Sequence, residues 1–221
     1  MNIAIILAGG TGSRMGADRP KQFLTLDGRM VIERSIDVFD QSPLIDEVAV
    51  VVHPDWMDYM QDVAAQNNWP KLQKIIPGGS VRYMSSLHAI QAYEGISPDT
   101  NLLFHDAARP WVSNDIISRV VESLYTHEAV GVAVPSTDTI WQLGNNNTIE
   151  QIPNRSVMWR AQTPQSFRFR IIEEAYRLAM NDPMLIATDD CGVVMKYLPH
   201  IPIVVVPGSE ENRKITFKSD L

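Results

Sequence analysis

Short apolar, β-branched runs alternate with longer stretches of helical period along most of this chain. Residues 3–7 form an apolar run too short for a helix and without polar alternation, which predicts a strand buried on both faces. Residues 31–39, with Val31, Ile32, Ile36, Val38 and Phe39 at helical spacing, predict a helix, and the β-branched run 47–52 predicts a second strand. The same alternation continues through a helix at 56–67, a strand at 74–77, a helix at 82–93, a strand at 101–105, a helix at 114–126 and a strand at 129–135. Such regularity predicts an α/β fold: a mostly parallel sheet with helices on both faces and a ligand crevice at the carboxyl ends of the strands.

Between residues 136 and 159 the alternation breaks. Thr139-Ile140-Trp141 and residues 149–152 flank the turn-prone Gly144-Asn145-Asn146-Asn147, which predicts a protruding β-hairpin arm. A two-stranded ribbon is marginal alone, so the arm is expected to lean on the main body or on a second subunit. Further on, residues 169–181 predict a helix, Thr188-Asp189-Asp190 the capped start of another ending near Leu198, and residues 202–206 a strand. Nothing in the pattern divides the chain, so residues 1–221 are expected to form a single domain with 136–159 as its arm.

Composition narrows the function classes. With 45% hydrophobic and 20% charged residues the chain can bury a proper core, and its formal net charge of -7 makes nucleic acid an unexpected partner. A polyanionic ligand would need a local basic cluster set against the acidic whole. Cys191 is the one cysteine, so neither an intramolecular disulfide nor a thiolate metal cluster can form. No run approaches the roughly 20 apolar residues of a membrane span, so no membrane association and a cytoplasmic location are expected.

The candidate chemistry begins where the first strand ends, in Leu7-Ala8-Gly9-Gly10-Thr11-Gly12-Ser13-Arg14-Met15-Gly16 followed by Pro20-Lys21-Gln22-Phe23. Glycines let backbone N–H groups approach an anion closely, and Arg14 and Lys21 supply countercharge, so the stretch reads as a phosphate cradle. A P-loop would require Gly-Lys-Ser/Thr at the helix start, whereas Ser13-Arg14-Met15 follows Gly12. A dinucleotide fingerprint fails too: the spacing to Gly16 is one residue too wide, and the second strand runs into His53-Pro54-Asp55 without the acidic residue that would hold a ribose.

The glycine stretch resembles that of the nucleotidyltransferases that activate sugar and polyol phosphates. Four further blocks narrow the resemblance: Gly78-Gly79-Ser80-Val81-Arg82-Tyr83-Met84-Ser85, His105-Asp106-Ala107-Ala108-Arg109-Pro110, Trp159-Arg160-Ala161-Gln162-Thr163-Pro164-Gln165-Ser166-Phe167 and Asn212-Arg213-Lys214-Ile215-Thr216. In this order, over nearly the whole chain, they resemble the 2-C-methyl-D-erythritol 4-phosphate cytidylyltransferase family. The sister ribitol 5-phosphate cytidylyltransferases share most blocks but tend to carry Ser-Val where Ala107-Ala108 stands.

The resemblance implies a Rossmann-like nucleotide-diphospho-sugar transferase fold and transfer of CMP from CTP to methylerythritol phosphate with release of pyrophosphate, a step of isoprenoid precursor synthesis. The alternative acceptor is ribitol 5-phosphate or another polyol phosphate, as in cell-wall or capsule precursors. It further implies Arg14, Lys21 and Lys214 as catalytic, Ala8, Gly9, Gly10, Gly12, Gly79 and Ser85 around the CTP, and Arg82 bracing the loop that reads the base. Asp106, Arg109, Thr139, Arg155 and Thr163 are implied for the acceptor, with Thr139 and Arg155 reaching a neighbouring subunit's site from the arm of a homodimer. Magnesium is the implied cofactor, held mainly by the nucleotide phosphates, with Asp106 the nearest candidate ligand. Two segments depart from the family pattern near the acceptor side: Cys191-Gly192-Val193-Val194-Met195 replaces the usual Ala-Ser-Val-Val-Glu, and Ser136-Thr137 precedes Asp138-Thr139.

Overall fold

The N-terminal apolar run becomes strand β1 (Asn2–Ala8), buried from Ile3 onward. The computed structural model describes residues 1–10 and 19–220. After β1 come the two-residue strands β2 (Thr25–Leu26) and β3 (Arg29–Met30), then helix α1 (Val31–Gln41) and strand β4 (Glu47–Val52). Helix α2 (Met57–Ala65), strand β5 (Leu72–Pro77), helix α3 (Arg82–Gln91), strand β6 (Asn101–Asp106), helix α4 (Asn114–Ser123) and strand β7 (Ala129–Pro135) complete the regular alternation. The arm carries β8 (Gln142–Leu143) and β9 (Ile149–Gln151), and it leads into β10 (Trp159–Arg168), α5 (Phe169–Ala179), α6 (Asp190–Tyr197) and β11 (Val204–Pro207).

Seven strands form the central sheet in the order β11-β7-β10-β6-β1-β4-β5. Side chains alternate across it with the period of two that a strand imposes. Ala4, Ile6, Val48 and Val50 pack with α1, α2 and α4 on one face, while Ile3, Ile5, Ala49 and Val51 pack with α3, α5 and α6 on the other. This double coverage explains why the strand sequences read as continuous apolar runs.

The chain leaves β1 for β4 and β5 on one side and returns to β6 on the other, so β1 marks the topological switch point. Parallel register brings the strand ends level: Leu7 pairs with Asp106, Ala8 with Val52 and Val52 with Pro77. The loops carrying Gly9, Asp106, His53 and Gly78 therefore meet at one edge, where an open α/β sheet binds its ligand.

One central strand is not expected from the sequence pattern. β10 runs antiparallel between β6 and β7, with a bulge between Gln162 and Ser166. Its middle is polar and interrupted by Pro164, which lacks a ladder donor and is tolerated in a sheet interior only at such a bulge. Tertiary packing nonetheless buries Gln162, Thr163, Gln165 and Ser166. The arm also differs in detail, because its first strand is Gln142–Leu143 rather than residues 139–141. Its two strands form a separate exposed ribbon, turned through Asn146 and Asn147 at φ 68° and 56°.

Candidate active site

Two adjoining clefts open at the carboxyl edge of the sheet. The larger, of about 440 Å³, lies over Ala8, Gly9 and Gly10 and is walled by Lys21, Gly79 and Ser85. The smaller, of about 270 Å³, lies against Arg109, Thr163, Gln165 and Asp189. Arg82, Asp106 and Lys214 line both and form the wall between them.

Close backbone approach shapes the larger cleft. A Cβ on Gly9 would come within 2.8 Å of Ser85 Oγ, and one on Gly79 within 2.2 Å of Met84 Cβ. The Gly79 N–H donates to Ser85 Oγ at 3.1 Å, which joins the loop after β5 to the first turn of α3. Gln22, buried and without a role in the sequence reading, donates its Nε2 to the carbonyls of Ala8 and Gly10 at 2.6 and 2.9 Å. That holds the carbonyls inward and fixes the loop's entry. Lys21 Nζ donates to the Ile215 carbonyl at 2.7 Å, so the lysine and the terminal segment meet at the cleft. Gly12 and Arg14 lie outside the described residues.

The dividing wall is a charge cluster around one carboxylate. Lys214 Nζ donates to Asp106 Oδ2 at 2.6 Å, Arg82 Nε stands 3.5 Å from Oδ1, and Arg109 Nε stands 4.0 Å from Oδ2. Burial raises the affinity of Asp106 for a proton, but Lys214, Arg82 and Arg109 outweigh it and hold the carboxyl well below its ordinary range. Asp106 is therefore ionised throughout the neutral range and too weak a base to take a proton there. Arg82, expected to brace the glycine loop, also has its Nη1 2.9 Å from Asp190 Oδ2, so it spans α3, α6 and the end of β6.

Thr163 fastens the same turn from beneath. Its Oγ accepts from the Asp106 N–H at 3.1 Å and lies 3.0 Å from His105 Nδ1, while His105 Nε2 faces the Arg109 carbonyl at 3.1 Å. Burial, opposed by the Arg109 carbonyl and Asp106, pushes the His105 pKa down to about 4, so the ring is neutral. A carbonyl can only accept, hence the proton sits on Nε2, and the Thr163 hydroxyl donates to Nδ1. With its single proton spent on His105, Thr163 can offer an acceptor only lone-pair contact; its main effect is to set the turn that carries Asp106 and Arg109.

Over residues 2–221 the chain matches the family described as IspD, 2-C-methyl-D-erythritol 4-phosphate cytidylyltransferase. The chain belongs to that family. It is 44% identical over 222 residues to the 2-C-methyl-D-erythritol 4-phosphate cytidylyltransferase of Thermobifida fusca, covering 99% of this chain and 89% of that protein. It is also 38% identical over 222 residues to a Haemophilus influenzae bifunctional ribulose 5-phosphate reductase/CDP-ribitol pyrophosphorylase, covering 100% of this chain and 46% of that longer protein. The solved structure of 4-diphosphocytidyl-2C-methyl-D-erythritol synthase from Anaerococcus prevotii superposes with a TM-score of 0.86 at 27% identity, covering 100% of this chain and 92% of that one. Membership makes the protein a nucleotidyltransferase of the cytidylyl-transferring kind.

Most of the residues implied by resemblance converge in this cytidylyltransferase: Ala8, Gly9, Gly10, Lys21, Gly79, Arg82, Ser85, Asp106 and Lys214 share the larger cleft, and Arg109 and Thr163 the smaller. Thr139 and Arg155 do not join them. Both are exposed on the arm, and Arg155 Nη1 donates to the Thr137 carbonyl at 3.1 Å.

Asp106 fits poorly as a magnesium ligand, because its oxygens face three cations. Among the described residues no three His, Cys, Asp or Glu side chains cluster to hold a metal. Besides Gln22, the sequence reading gave no role to Gln165, whose Oε1 accepts from the Asp190 and Cys191 N–H groups at 2.9 and 3.0 Å and whose Nε2 donates to Asp189 Oδ2 at 2.8 Å. Its place inside a conspicuous block was the available signal. Asp189 caps α6 as expected, accepting from the Gly192 N–H at 2.8 Å.

Proposed function

We propose that the larger cleft holds CTP, the smaller holds the phosphate and hydroxyls of 2-C-methyl-D-erythritol 4-phosphate, and CMP passes between them at the wall formed by Arg82, Asp106 and Lys214. A phosphate oxygen of the acceptor attacks the α-phosphorus of CTP, the new P–O bond forms, the bond to the bridging oxygen breaks, and pyrophosphate leaves. The acceptor's second phosphate pKa is near ~6, so the nucleophile is already ionised at neutral pH and no protein base is needed. That suits a site whose one central carboxylate is too weak a base to act as one.

The protein's work is positioning and charge neutralisation, as in other phosphoryl transfers. Arg14 and Lys21 grip the triphosphate, Lys214 meets the charge growing at the α-phosphoryl, and Arg109 receives the acceptor. Asp106 keeps Lys214, Arg82 and Arg109 in one constellation without cancelling their combined charge. Magnesium, when bound, would be held mainly by the nucleotide phosphates and would supply further charge neutralisation beside Lys21 and Lys214. The enzyme acts in the cytoplasm as a homodimer through the arm at 136–159, which carries Thr139 and Arg155 to the neighbouring site. Supporting this, the arm exposes the apolar side chains of Trp141, Leu143, Ile149, Ile152, Val157 and Trp159.

The observation that carries the reading is the shared wall of Arg82, Asp106 and Lys214 between the two clefts. Pyrophosphate release should be followed with CTP, magnesium and either methylerythritol phosphate or ribitol 5-phosphate. Turnover with the former is expected. Turnover with ribitol 5-phosphate alone would move the acceptor to that of the CDP-ribitol relative, and CTP binding without pyrophosphate release would indicate a nucleotide sensor.

A further inference from the structure

Asp190, at the first position of α6, is wholly buried. The Tyr176 hydroxyl, from α5, donates to its Oδ1 at 2.6 Å, and its backbone N–H donates to Gln165 Oε1 at 2.9 Å. Arg82 Nη1 stands 2.9 Å from Oδ2, while Arg82 Nε faces Asp106. Tyr176, Asp190, Arg82, Asp106 and Lys214 thus form one continuous polar line from the core between α5 and α6 to the wall between the clefts.

A buried carboxylate is an expensive way to hold three helices together, since an apolar residue of similar size is often as stable or more so. What the carboxylate adds is direction. A guanidinium is a planar fork, and ion-pair contacts at both Nη1 and Nε restrict where its third nitrogen can point. Among the described residues no hydrogen bond from Nη2 is present, a quarter of the Arg82 side chain is exposed, and Arg82 lines both clefts.

We propose that Asp190 is a positioning residue that sets the plane of the Arg82 guanidinium, so that Nη2 meets an oxygen of the transferring phosphoryl group at the boundary between the two clefts. The kinetic consequence rests on the cytidylyl-transfer reading above; the geometric part does not. The Cys191 that follows replaces a small residue of the family pattern, and it packs outside this line, against Gly131.

The test is a double-mutant cycle on the full chain with Asp190→Asn and Arg82→Gln, reading kcat and KM separately, alongside the ¹⁵Nε–H resonance of Arg82 in the ligand-free protein. Asp190→Asn should lower kcat by about 10²-fold, as for a misaimed group, with the KM for CTP changed by less than about threefold. In the Arg82→Gln background the same change should cost almost nothing more, because both act through one guanidinium. The Arg82 resonance, sharp in the wild type, should broaden or shift in Asp190→Asn. Wild-type kcat in folded Asp190→Asn, multiplying losses in the double variant, or an unaltered Arg82 resonance would overturn the proposal. Should Asp190→Asn fail to fold, Tyr176→Phe enters the same cycle: it keeps the carboxylate but removes one anchor, and its kcat loss should likewise vanish with Arg82→Gln. Wild-type kcat with an unaltered resonance in that variant overturns the proposal as well. A wild-type protein that released no pyrophosphate with any polyol phosphate would sink the transfer reading, while the resonance would still decide the positioning.

Discussion

Lys214 Nζ lies 2.6 Å from Asp106 Oδ2, although 108 positions separate the two residues in the chain. The contact brings the terminal segment onto the end of β6. Its neighbours secure it: the Ile215 N–H donates to the Ala108 carbonyl at 2.8 Å, Ile215 is buried beside Leu26 and Val31, and the Arg213 guanidinium stacks 3.9 Å above the Trp111 ring.

Lys214→Met keeps the side-chain stem and removes the charge. Turnover should fall about 10²- to 10³-fold, as for loss of one preorganised charged contact. The Lys214 side chain is 38% exposed, so its ion pair with Asp106 is worth no more than about 1 kcal/mol. A thermal melt should therefore move by only a few degrees; a collapse of the melt would mean that the lysine holds the fold instead.

Lys21→Ala should behave alike from the other side of the larger cleft, lowering turnover far more than stability. Its Nζ donates to the Ile215 carbonyl, 194 positions along the chain, in a part-buried hydrogen bond. Parallel loss of activity and thermal stability would contradict a catalytic role.

Gly9→Ala places a Cβ 2.8 Å from Ser85 Oγ, so it should destabilise the protein and weaken CTP binding. Ser85→Ala removes that oxygen, and the next atom, Ser85 Cβ, lies 3.8 Å away. The double variant should therefore melt higher than Gly9→Ala alone, a non-additivity expected of neighbours. Strictly additive melting shifts would count against the close approach.

Acid should weaken the fold in two separable steps. His105 has its pKa lowered from 6.5 to about 4, so the unfolded chain binds its proton first, and stability should fall as pH drops from about 6.5 towards about 4. Each pH unit between the two values is worth ~1.4 kcal/mol. Asp106 is shifted downward too, but as an acid it contributes stability above its ordinary carboxylate range that is lost only as pH falls below that range. Denaturant melts of the wild type and His105→Asn between pH 7 and 4.5 should differ in slope, with the variant flatter; equal slopes would argue against a buried neutral imidazole.

The arm predicts assembly. Trp141 is 59% exposed and Trp159 48% exposed in the single chain, and sedimentation should find a dimer that shields both. Deleting residues 139–152 should yield a monomer that still binds CTP but turns over acceptor poorly. A fully active monomer would remove Thr139 and Arg155 from the site.

The sequence by itself determined the sheet's parallel strands, the helices on its faces and the hairpin, because apolar period and turn residues are local signals that do not depend on distant partners. It also placed Gly9, Lys21, Asp106 and Lys214 in blocks whose resemblance named the chemistry. Tertiary structure decided the rest. β10 is a strand only because β6 and β7 supply ladders on both sides of a polar, proline-broken segment, and no local pattern announces that. Arg82 reads from sequence as a brace beside glycines, yet its partners Asp106 and Asp190 lie on two other elements. Thr163 reads as a substrate contact, and the fold also ties its hydroxyl to His105 and to the Asp106 N–H. The phosphate cradle was legible because it is built from consecutive residues, whereas the charge constellation beside it is set by contacting partners up to 108 positions apart that meet only when the sheet closes.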